Sequence, residues 1–145
     1  MTSTYLLRRQ HGDAMAMIDR LLGLLDRCDG TEDAGQMLLL LAKLTQLMRV
    51  HFAHEDYCLY PALIASAEPD VAEAAKAFQR EMGELWGQYE GFARTWSTAT
   101  AIIMFFEEFK CECITSFAAI EDRCTREDEL LFPLADAVGQ TSLAA

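Results

Sequence analysis

A chain of 145 residues, 52% of them hydrophobic and only 3 of them proline, has the length and composition of one folded unit rather than a disordered polymer. Its formal net charge of −11 argues against nucleic acid or an anionic membrane as a partner, since both demand a basic patch. Five cysteines, odd in number and without paired metal-ligand spacing, fit a reducing compartment in which they serve as apolar packing.

The start, Met1 to Gln10, carries arginines but no apolar segment long enough for a signal peptide, so a soluble, cytoplasmic protein is expected. Leu7, His11, Ala14, Met15, Ile18, Leu22 and Leu25 recur at helical spacing and predict a first helix over about residues 4–28. His11 sits on that apolar stripe, and Asp29-Gly30-Thr31 stops the helix. Met37, Leu40, Leu44, Leu47, His51, Glu55, Cys58 and Ala62 form the stripe of a second helix, in steps of three and four residues. Its apolar run Leu38 to Leu41 is far too short to span a bilayer. Pro61 should kink the last turn, because it removes one backbone bond and crowds the carbonyl of Tyr57.

Ser66 to Pro69 breaks the chain, and Pro69 suits a first helical position. Val71, Ala75, Phe78, Met82, Leu85, Tyr89, Phe92 and Trp96 mark a third helix, on which Gly83, Gly87 and Gly91 share one face and would allow a neighbouring backbone to approach. A long fourth helix begins after Ser97 or Thr98, with Ile102, Phe106, Phe109, Cys113, Phe117, Ile120, Glu127, Leu131 and Leu134 as its stripe. Ile103, Met104 and Phe105 add apolar surface beyond one stripe, consistent equally with a homodimer contact through helix four and with extra core. Four amphipathic helices with short connections and no strand signal predict an all-α fold, an antiparallel up-down four-helix bundle over residues 1–139. Residues 140–145 are expected to form a short frayed tail.

The chain also repeats itself. His51-Phe52-Ala53-His54-Glu55-Asp56-Tyr57-Cys58-Leu59-Tyr60-Pro61 returns as Arg123-Cys124-Thr125-Arg126-Glu127-Asp128-Glu129-Leu130-Leu131-Phe132-Pro133, offset by 127 − 55 = 72 residues, and the prolines keep the same offset. Upstream, Arg9-Gln10-His11-Gly12-Asp13 is echoed by Arg80-Glu81-Met82-Gly83-Glu84. The first half offers His11, His51 and Glu55, where the second has Met82, Arg123 and Glu127. Glu55 and Glu127 both fall on apolar stripes, and inward carboxylates cost several kcal/mol unless a cation compensates them. A metal ion would serve, and so would the guanidinium of Arg123.

These residues resemble the hemerythrin family, with its His-His-Glu cation-binding domain, over nearly the whole chain. The helix-one histidine, the His-x-x-x-Glu of helix two and the Glu-x-x-x-x-x-Pro of helix four carry the resemblance. It implies an up-down bundle with two non-haem irons held by five histidines and two carboxylates, and an open position for oxygen or nitric oxide. Carried over by position, His11, His51, Glu55 and Glu127 match metal ligands. Met82 and Arg123 stand where helices three and four would offer histidines, so the full di-iron set is absent.

Two outcomes follow. In one, a single iron or other divalent ion is held by His11, His51 and Glu55 with Glu127 as a fourth ligand, and the protein binds or senses oxygen or nitric oxide. In the other, no metal binds. The fork of Arg123 bridges Glu55 and Glu127, and the bundle is a regulatory or interaction module. No general acid or base is visible beyond these residues, so an enzyme is not the expected reading, and no catalytic residue is assigned. His54 is expected at the surface or rim, and Glu81 and Glu84 on a solvated face beside Met82. Tyr57 and Tyr60 are expected to pack near the proline, with Cys58 and Cys124 as apolar filler.

Overall fold

The computed structural model describes residues 3–28 and 31–144. The elements are α1 (Ser3–Arg27), α2 (Ala34–His54), a π-helical turn (Glu55–Leu59), α3 (Tyr60–Ile64), α4 (Pro69–Thr95), α5 (Ala99–Met104), α6 (Phe106–Arg126), a second π-helical turn (Glu127–Leu131) and α7 (Phe132–Ala144). Every regular element among the described residues is helical, and no helix among them is long and apolar enough to cross a membrane. Asp29 and Gly30, read as part of the stop after the first helix, lie outside the described residues.

α2, the first π turn and α3 follow one another without a gap, as do α6, the second π turn and α7. α1 packs on α2 and α6, and α4 packs on α3 and α6. Pro69 opens α4 as a first-turn proline. The Thr98 hydroxyl caps α5 by accepting from the Ala101 amide at 3.1 Å. The predicted fourth helix is interrupted at Phe105, whose backbone (φ −127°, ψ 46°) leaves the helical basin before α6 resumes. Ile103, Met104 and Phe105 cluster at this interruption and are exposed, Met104 by 67%.

The π turns explain two departures from the expected stripes. Pro61 and Pro133 each lack an N–H, and the residue before each donates five positions back, Tyr60 to the Glu55 carbonyl and Phe132 to the Glu127 carbonyl. The strain anticipated as a kink at Pro61 is taken up by one extra residue in the preceding turn. That residue shifts the inward register, so Leu59 and Leu63 are buried while Cys58 and Ala62 are exposed. Tyr57, expected to pack, is 83% exposed, since two residues after the inward Glu55 it lies on the far side of the helix. A Cβ built on Gly83, Gly87 or Gly91 would meet nothing within 4 Å, so these glycines face open space and allow no close backbone approach. The last helix runs through Gly139 to Ala144; Gly139 keeps an ordinary backbone, and one glycine costs a helix only about 1 kcal/mol.

The buried apolar side chains form two clusters. The larger holds Ala14, Ile18, Leu44, Met48, Met82, Phe117, Ile120 and Cys124 among others. The smaller holds Leu7, Leu59, Tyr60, Leu63, Phe78, Leu131 and Phe132 with two alanine- and valine-bearing turns of α4. Along α1, α2 and α6 the chain passes from one cluster to the other through buried polar residues: Gln10 and His11 on α1, His51 and Glu55 at the end of α2, and Arg123 and Glu127 at the end of α6; on α4 it passes directly from Phe78 to Met82. A polar layer therefore separates two apolar half-cores.

Candidate metal centre

The layer is positioned by the inward stripes of α1, α2 and α6 and by the two π turns, each of which begins at a buried glutamate. His11 Nε2 lies 2.9 Å from Glu127 Oε1 and 3.1 Å from His51 Nε2. His51 Nε2 lies 3.4 Å from Glu127 Oε1 and 3.4 Å from Glu55 Oε1. One donor atom from each of His11, His51 and Glu127 falls within 4.8 Å of the others. Glu55 joins through His51 and is not part of that mutual triplet. Both Glu55 carboxylate oxygens are buried without a hydrogen-bond partner.

The opposite ring nitrogens are also held. His11 Nδ1 faces Asp128 Oδ1 at 2.9 Å, and His51 Nδ1 faces Gln10 Oε1 at 2.8 Å. Arg8 steadies Asp128 from outside, donating to its backbone carbonyl at 3.2 Å. Neither Asp128 nor Gln10 was singled out from sequence. The only signal was adjacency, Gln10 before His11 and Asp128 after Glu127. A neutral imidazole has one N–H, and His11 has a carboxylate at each nitrogen. Whichever nitrogen carries the proton, the other directs a lone pair at an anion. Two Nε2 atoms 3.1 Å apart cannot both carry hydrogen towards each other. Without an ion, an Nε2–H can donate to Glu127 Oε1. With an ion bound, Nδ1–H of His11 would donate to Asp128 and that of His51 to Gln10, and both Nε2 lone pairs, Glu127 Oε1 and the Glu55 carboxyl would be free for it.

The donors fit an ion. Ligands held about 2.1 Å from a metal lie roughly 3.0 Å apart at the edge of an octahedron and about 3.4 Å apart in a tetrahedron. The observed separations run from 2.9 to 3.4 Å.

The two glutamates differ in charge state. Burial, and then the charge of Glu127, push the Glu55 carboxyl well above the usual range. Burial also pushes Glu127 up, but hydrogen bonds with His11 and His51 and the Arg123 guanidinium outweigh it and hold Glu127 well below that range. Burial lowers His51, favouring the neutral ring that a metal ligand requires.

Arg123 is buried beside this set. Its Nε donates to Glu127 Oε2 at 2.8 Å and its Nη2 to the Tyr60 hydroxyl at 2.7 Å, while its guanidinium carbon sits 4.7 Å from the Phe78 ring centroid. Tyr60 thus does more than pack. The expected bridge from Arg123 to Glu55 does not form: Nε and Nη2 go to Glu127 and Tyr60, and neither Nη1 nor the Glu55 oxygens have a hydrogen-bond partner. Half-exposed Glu81 caps the outside, 3.6 Å from Arg123 Nη1 and 2.6 Å from Arg126 Nη2, so it pairs with guanidinium groups and faces away from the histidines. Met82 is buried in the larger cluster, Glu84 is exposed and His54 is half-buried. Cys124 is buried as apolar filler, and its thiol is pushed up by burial.

A model of the hemerythrin HHE cation binding domain matches residues 2–135. No curated protein and no solved structure matches the chain.

Proposed function

The chain belongs to the hemerythrin HHE cation-binding domain family, and from that premise we propose that its core holds one divalent ion, iron, and that the protein binds or senses a small diatomic such as oxygen or nitric oxide. The supporting observation is the convergence of His11 Nε2, His51 Nε2 and Glu127 Oε1 on one point while Asp128 and Gln10 occupy the far ring nitrogens. His11, His51 and Glu127 would hold the ion, with Glu55 as the fourth ligand. Two imidazoles with carboxylates are the ligand types of mononuclear non-haem iron sites. Bound iron would supply a redox-active centre able to take a diatomic ligand. The chain's own residues fix the imidazole tautomers, exclude bulk water and keep Glu127 ionised. The four helical runs, broken at residues 65–68, 96–98 and between α1 and α2, are read as an antiparallel up-down four-helix bundle, supported by short connections and by the packing of α1 on α2 and α4 on α6.

Anaerobic loading with ferrous iron, removal of free metal and elemental analysis tests the reading. One equivalent per chain is expected; less than about a tenth of an equivalent of any transition metal removes it.

Arg123 supports a second reading, a metal-free bundle in which the guanidinium alone neutralises the layer and the protein is an interaction module. It engages Glu127 and Tyr60, and burial pushes the Glu55 carboxyl towards its neutral form, but both Glu55 oxygens keep no hydrogen-bond partner. The single-ion reading gives those oxygens a partner.

A further inference from the structure

We propose that Arg123 sets the valence of the ion: its fixed charge makes the core a site for a divalent ion and turns away a trivalent one. This rests on the single-ion reading above. With both histidines as neutral ligands, the inward charges are the carboxylates of Glu55 and Glu127 and the guanidinium of Arg123. They leave one net negative charge. A divalent ion brings the layer to one positive charge and a trivalent ion to two. Without Arg123 the same ions would bring it to zero and one.

The repulsion between the guanidinium and the ion grows in proportion to the ion's charge, and here it is weakly screened. Glu55, Glu127 and Arg123 are all 3% exposed or less. Nor is the guanidinium free to swing away. Glu127 and Tyr60 hold two of its nitrogens, Phe78 covers its face, and Glu81 with Arg126 closes the outer side. Arg123 has a further effect through Glu127. By occupying Oε2 it leaves only Oε1 for the centre, so this inward carboxylate presents one oxygen instead of two. A site with fewer anionic donors favours the lower-valent ion, and for iron that is the ferrous state.

Two redox-inert probes of similar size separate valence from redox chemistry: zinc(II) and gallium(III), each supplied from a chelator buffer. Cobalt(II) bound to the protein reports displacement through its visible absorption. In the wild type, zinc displaces cobalt and gallium does not. In Arg123→Met, which keeps length and removes charge, gallium's affinity relative to zinc rises about tenfold or more. In Arg123→Lys, which keeps the charge, the ratio stays near that of the wild type. A ratio in Arg123→Met equal to the wild type's, with one equivalent of zinc still bound, overturns the proposal. Should Arg123→Met fail to fold, the wild type decides alone: gallium competing as well as zinc overturns it. Failure of the wild type to take up cobalt or zinc at all is a separate result, and it overturns the single-ion reading itself.

Discussion

Glu55 and Glu127 occupy the same place in two copies of one motif, each at the head of a π-helical turn and each fully buried. One has no hydrogen-bond partner and a carboxyl pushed well up; the other is surrounded by two imidazoles and a guanidinium and is held well down. The repeat dictates where the backbone carries the carboxylate. The neighbours dictate its charge: burial and the charge of Glu127 raise Glu55, whereas His11, His51 and Arg123 hold Glu127 down. Symmetry of fold thus comes from the repeated segment, and asymmetry of chemistry from what each carboxyl meets.

The largest break in this comparison comes from the side that is paired. Arg123→Ala leaves Glu127 without its fixed cation, and in the metal-free protein it should cost about 3–5 kcal/mol, read from urea denaturation. A harmless substitution would mean that Arg123 does not neutralise the layer. Glu127→Gln should cost several kcal/mol for the mirror-image reason, since it strands a buried guanidinium. Next is Asp128→Ala, which frees His11 Nδ1 and should weaken cobalt affinity about 10- to 100-fold with little change in fold, measured by competition with a chelator. Unchanged affinity would show that the ring needs no orientation from outside.

Glu55→Gln sharpens the contrast from the unpaired side. In the metal-free protein it should cost less than about 1 kcal/mol, because the carboxyl it replaces has no partner to lose. The pH dependence has opposite signs for the two residues. Glu127, depressed in the fold, contributes stability above the unfolded value of about 4.3 and loses it as pH falls towards its folded value. Glu55, raised in the fold, contributes fully below about 4.3 and loses its contribution as pH rises through its folded value. The stability of metal-free Glu55→Gln relative to wild type should therefore climb as pH is raised above about 4.3. A flat difference between pH 4 and 8 would remove the assigned shift.

Much of this was legible from periodicity. His11, His51, Glu55, Arg123 and Glu127 lie on apolar stripes, and all five are buried. Periodicity could not show the outward partners. Gln10 and Asp128 sit one residue off the stripe, where a polar side chain usually meets solvent, and only the packing of α1 against α2 and α6 brings them to the histidines. Nor could a stripe drawn at 3.6 residues per turn anticipate a turn of a different pitch. Cys58 and Ala62 were misplaced, and Leu59 and Leu63 missed, because the extra residue after Glu55 moved everything beyond it.

That extra residue makes chain length a functional variable in these two segments. Deleting one amino acid between positions 56 and 59, or between 128 and 131, would let an ordinary helical turn close and rotate whatever follows by about 100°. Leu63 or Ala135 would turn with it, and Pro61 or Pro133 would press directly on the carbonyl of the preceding turn. Substitutions there can be absorbed side chain by side chain, but a lost residue would misalign the smaller half-core against the larger one.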